Sequence, residues 1–116
     1  MSKLFKDGAA LLRIYTVEKD QINGMPLYEW LVQKALSEKL SGATVLRGIG
    51  GFCSSNPVII PELHSFEINQ PVIVEIIDLE KELERFVLQI DHLIPCGLMT
   101  LQPLQTRYYG KRKKNE

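Results

Sequence analysis

Two helical stripes, each set between β-branched runs, constrain this chain more than any other feature of its sequence. From Pro26 to about Leu40 the apolar residues Tyr28, Leu31, Val32, Ala35, Leu36 and Leu40 recur at spacings of three and four, while Glu29, Gln33, Lys34 and Glu38 fall elsewhere. Leu83, Phe86, Val87, Ile90, Leu93 and Ile94 form a second stripe of the same kind. Pro26 suits the first helical turn, where its missing N–H costs nothing, and Gly42 suits a left-handed end to that helix. Asp78 is predicted to cap the second helix, with Glu80 and Glu82 in the first turn where the helix dipole favours acids. Pro95 and Gly97 stop it.

Strand patterns fill the remainder: residues 10–17, 43–47, 72–77 and 98 to about 104. The order is β-α-β-β-α-β, which predicts an α+β, ferredoxin-like βαββαβ fold. Its four-stranded antiparallel sheet carries both helices on one face, because both crossovers are right-handed. A chain of 116 residues holds one such domain, placed at 10–106, after an N-terminal extension 1–9 and before a basic tail 107–116. Pro57, Pro61 and Pro71 punctuate a long non-periodic stretch, so 53–70 is expected to be a mobile loop.

Two short helices cover one side of a sheet only. By alternation Arg13, Tyr15, Val45, Arg47, Ile49, Ile73, Glu75 and Ile77 point away from them, a face too apolar to stay wet. Of these, Arg13, Tyr15, Val45, Ile49, Ile73, Glu75 and Ile77 are expected to form a contact between copies. Glu75 lies on the strand between those of Arg13 and Arg47 and is expected to pair with both bases.

Charge and cysteine content exclude several functions. Acids and bases number 14 each, and Lys111, Arg112, Lys113 and Lys114 hold four of the bases, leaving ten against 13 acids in residues 1–110. A mildly acidic body is unsuited to coating nucleic acid. The terminal basic run reads as a solvated tail. Cys53 and Cys96 are too few for a disulfide framework, and Cys53 reads as a plain thiol, so a cytoplasmic setting is expected. No leader or membrane-span pattern is found. His64 and His92 have no partner at ligand spacing, so no metal is expected. Trp30 and Tyr28 read as packing residues, with Tyr28 also able to border a cleft.

The chemistry concentrates in Arg47-Gly48-Ile49-Gly50-Gly51-Phe52-Cys53-Ser54-Ser55. Three glycines in four residues, Gly48, Gly50 and Gly51, are costly in a strand and imply a bulge or a close approach of backbone to another group. Exposed N–H groups, the hydroxyls of Ser54 and Ser55 and the fork of Arg47 can hold an anion. The glycines can equally serve only to bend the chain. The segment is neither a Walker loop nor a dinucleotide fingerprint.

Tyr15 with Glu18-Lys19-Asp20, then Gly24-Met25-Pro26-Leu27-Tyr28-Glu29, the block from Gly42 to Phe52, Ser54-Ser55 and the run from Pro71 to Asp78 resemble the PII-like family catalogued as domain of unknown function 190. The resemblance implies a homo-trimer with its open sheet faces turned inward and small-molecule sites in clefts between subunits. It implies a nucleotide ligand near Arg47, Gly48, Gly50, Gly51, Phe52, Ser54, Ser55 and Tyr28, with no obligatory cofactor. It further implies a partner protein, such as a membrane channel or transporter, reached through the long loop. PII proteins proper have a glycine and basic signature where this chain has Pro95-Cys96-Gly97, so AMP or ADP is favoured over ATP. Two alternatives remain on the same fold. One is a small phosphate-handling enzyme of acylphosphatase type, using Arg13 and Asn23; the other is a metal-tolerance trimer. No nucleophile, base and orienter form a set, so catalysis is not expected.

Overall fold

The computed structural model describes residues 4–51 and 70–107. Strands β1 (Lys6–Val17), β4 (Gly42–Arg47), β5 (Pro71–Leu79) and β6 (Met99–Thr106) form one antiparallel sheet in the order β4-β5-β1-β6. Helices α1 (Leu27–Ser37) and α2 (Glu80–Ile90) lie on one side, giving the ferredoxin-like α+β arrangement. A short hairpin, β2 (Gln21–Ile22) with β3 (Met25–Pro26), precedes α1. Asn23 and Gly24 turn it with φ of 50° and 81°, the two positive values that a two-residue hairpin turn of this hand requires. Among the described residues no helix is long and apolar enough to cross a membrane.

The core lies between the helices and the central strands. Ala10, Leu12, Ile14, Val74 and Ile76 face Leu27, Leu31, Ala35, Leu83, Phe86 and Ile90, all nearly inaccessible to solvent. This is the apolar periodicity of the sequence converted into burial, at about 25 cal/mol for each Å² withdrawn from water. Leu36 departs from the expected stripe: it is 75% exposed at the rim of α1, beyond the reach of the sheet.

Several local expectations are corrected. Helix α1 ends at Ser37, and the left-handed residue after it is Lys39, φ 62°, not Gly42, which opens β4. Pro26 occupies the N-cap position rather than the first turn. The N-cap of α2 is Leu79, without a side-chain bond, because Asp78 is the last inward residue of β5 and fully buried. Its Oδ2 accepts from the Ser41 amide at 2.8 Å and the Ser41 hydroxyl at 3.2 Å, and its Oδ1 accepts from the Leu79 amide at 2.6 Å. The carboxylate therefore ties the entry of β4 to the exit of β5. Strand β1 starts at Lys6, four residues before the expected start, in partnership with the end of β6.

The decisive correction concerns register. Directly opposed residues of an antiparallel pair share a face. Val45 pairs with Val74 and Arg47 with Val72, both inward residues of β5, so Val45 and Arg47 lie on the helix side. Thr44 and Leu46, opposite Glu75 and Ile73, take the open side instead. Ile49 lies beyond the strand and is 91% exposed.

Removing the buried carboxylate leaves backbone donors without an acceptor. Asp78→Ala is expected to lower the unfolding free energy by about 2–4 kcal/mol, and Asp78→Asn by less, in urea titrations. Equal stability of both variants and the parent would contradict this role.

Candidate functional site

The glycine-rich segment leaves the sheet where the ends of β1 and β4 meet the start of β5. Val17 is opposite Pro71 and Arg47 is opposite Val72. The Gly48 amide donates to the Pro71 carbonyl at 2.8 Å, which carries the ladder one residue past the strand. A Cβ at Gly48 would lie 2.8 Å from Pro71 Cγ, closer than real side chains approach. Of the two readings of the glycines, bulge or close approach, the structure gives close approach. Gly51 has φ +142°, a conformation that side chains rarely adopt.

Glu18 fastens both sides of this opening. It sits in a turn closed by the Asp20 amide donating to the Val17 carbonyl at 3.1 Å. The Asp20 carboxylate secures that turn, accepting from the Thr16 hydroxyl at 2.6 Å and the Val17 amide at 3.0 Å. The Glu18 amide donates to the Gln70 carbonyl at 2.9 Å, and its Oε1 accepts from the Gln70 amide at 3.4 Å. Its Oε2 pairs with Arg47 Nη2 at 2.8 Å. The expected partnership of Arg47 with Glu75 does not form, because Arg47 is on the helix side of β4 and Glu75 on the open side of β5. A guanidinium carries five N–H donors, so this ion pair leaves Arg47 with donor capacity, and its side chain is 54% exposed.

The structure thus brings Arg47, Gly48 and Gly51 together with Glu18, Gln70 and Pro71. Gly50 lies in the bend between Ile49 and Gly51. Tyr28 is not part of the group; it packs against the core. Phe52, Cys53, Ser54 and Ser55, and most of the 53–70 segment, lie outside the described residues. Cys96, buried ahead of β6, is in a disulfide. His92 is on the surface, with Nδ1 3.8 Å from Asp91. Among the described residues no three potential ligands gather around a metal position. Spacing along the chain does not give the roles of Glu18 and Asp20, although two acids within three residues of a strand end are a visible signal.

The open face forms a second feature. Arg13 and Glu75 are directly opposed on β1 and β5, with Arg13 Nε 2.9 Å from Glu75 Oε2. Tyr15 opposes Ile73 and Leu11 opposes Ile77 beside them. At the end remote from the glycines a concavity of about 440 Å³ opens, lined by Phe5, Thr44, Glu75, Ile77 and Arg107 among others.

Fold and site together define a small ferredoxin-like domain with one bare sheet face and a glycine-rich exit from its edge strand. Residues 9–106 match the DUF190 family, described as an uncharacterized ACR, and the chain belongs to that family. It is 37% identical over 98 residues to a UPF0166 protein of Aquifex aeolicus, covering 84% of this chain and 92% of that protein. It is also 31% identical over 86 residues to the UPF0166 protein MJ1524 of Methanocaldococcus jannaschii, covering 74% and 79% respectively.

The approach at Gly48 gives a controlled comparison. Gly48→Ala is expected to cost about 1–3 kcal/mol, because the new methyl overlaps Pro71. Gly42→Ala, where nothing lies within 4 Å, is expected to leave stability nearly unchanged. Equal effects in denaturant unfolding would mean that the Gly48 contact is not limiting.

Proposed function

We propose that this chain is a non-enzymatic, PII-like regulatory protein of the cytoplasm. In this reading it assembles as a homo-trimer through the open sheet face and binds a small adenine nucleotide, AMP or ADP before ATP, in clefts between subunits. The segment 53–70 then acts on a partner protein, a membrane channel or transporter. The observation that carries the reading is the exit from β4, where Arg47 is held by Glu18 beside a glycine backbone in close contact with Pro71. An exposed guanidinium is a group that a phosphate can engage.

The open face supports the assembly part. Burying a charge costs several kcal/mol unless it is paired, and Arg13 and Glu75 arrive already paired among Tyr15, Ile73 and Ile77. Sealing that face by further copies would withdraw apolar area without stranding a charge. The phosphate-handling enzyme is less well served. Arg13 is engaged by Glu75, while Asn23 forms the β2–β3 turn at φ 50°. A ligand that binds one state of the 53–70 segment better than another shifts its population by that difference and no more.

Thermal unfolding in the presence of AMP, ADP, ATP and cyclic AMP tests the reading. A site filled at 100 times its Kd adds about 2.7 kcal/mol to the folded state, a shift easily resolved. AMP or ADP is expected to raise Tm more than ATP at equal concentration. Unchanged Tm with every nucleotide would end the proposal.

A further inference from the structure

Glu18 joins two things that the nucleotide reading treats separately: the cation offered to the ligand and the bond that ties the end of β1 to the residue before β5. One carboxylate holds Arg47, at the end of β4, and Gln70, the residue before β5. Arg47 has no acid of its own on β4 or on the facing stretch of β5, since Glu75 is on the other side of the sheet. Among the described residues Glu18 is its ion-pair partner.

A phosphate brought to Arg47 meets this carboxylate first. Two anions on one guanidinium would lie within about 4–6 Å of each other, close enough for mutual repulsion to oppose double occupancy. Resting on the nucleotide reading of this site, we infer that Glu18 is a built-in rival for Arg47. A phosphate-bearing ligand takes the guanidinium from Glu18, and the displaced carboxylate loosens its hold on the Gln70 amide. Ligand capture and the tie between the two feet of the opening are then one equilibrium. Reciprocity follows: the ligand weakens the tie by the factor by which the tie weakens the ligand. Glu18 is a positioning residue here, acting on the ligand through Arg47. Asp20 sets how firmly it does so, because its bonds to Thr16 and Val17 fix the turn that presents Glu18.

The rival is removed with little change of shape by Glu18→Gln, which keeps an acceptor for Gln70 and loses the charge. An exposed ion pair is worth up to ~1 kcal/mol, so its removal is expected to tighten AMP about fivefold. Calorimetric titration of the full chain with AMP, and with inorganic phosphate as a second probe, reads this directly. Arg47→Gln is expected to weaken AMP and to erase the gain from Glu18→Gln in the double variant. Amide exchange at Gln70, followed by NMR, is expected to quicken when AMP saturates the parent chain. Glu18→Ala, checked for an intact melting transition, is expected to show quick exchange without AMP. If AMP binds the parent but Glu18→Gln binds it equally or more weakly, the rivalry is refuted and the nucleotide reading stands. Unaltered Gln70 exchange at saturation would refute the coupling alone. Failure of AMP to bind the parent and Glu18→Gln alike would overturn both.

Discussion

Two helices of 11 residues cannot cover both sides of a four-stranded sheet, and the rest of the molecule is arranged around that limit. On the covered side, Leu12, Ile14, Val74 and Ile76 are sealed by Leu31, Leu83 and Phe86, and the chain folds on that contact. On the bare side the central pair of strands carries Arg13 against Glu75 within apolar neighbours. In a solvated monomer such a pair contributes ~1 kcal/mol or less, but against a dry surface it prevents an unpaired charge. The placement therefore has more physical sense on a face to be covered than on one left wet.

Register on the edge strand separates this face from the glycine-rich exit. With Val45 opposite Val74 and Arg47 opposite Val72, Arg47 is turned to the helix side, where Glu18 meets it. A slip of one residue would bring Arg47 to the open face beside Glu75 and leave Glu18 without its partner. The single register thus gives each acid its own base: Glu75 holds Arg13 within the sheet, and Glu18 holds Arg47 at its end.

The fold was legible because apolar spacing directly encodes which side of an element is buried. Leu31, Ala35, Leu83, Phe86 and Ile90 were readable as core, and the element order fixed the topology. Register on β4 was not legible, since Ala43-Thr44-Val45-Leu46 is apolar on both faces and alternation has nothing to choose between. The helix end is hidden for a related reason: Gly42 is the residue type suited to a left-handed conformation, but Lys39 adopts it and lets the chain turn sooner. Asp78 resembled a cap by position, whereas its burial commits it to Ser41 across the sheet end. Of the candidate site, Arg47 and the glycines were visible as residue types. Their link to Glu18 depends on three strands meeting and could not be read from spacing along the chain. The tight Asn23-Gly24 turn is carried by its residue types, since both positions take positive φ.

The most direct measurement is the mass of the particle in sedimentation equilibrium at micromolar concentration, for the parent chain and for Ile73→Glu on the bare face. The account predicts about 40 kDa for the parent, three copies of a 13.2 kDa chain, and dissociation of the variant while its melting transition persists. A parent that sediments as a single 13.2 kDa chain would contradict it.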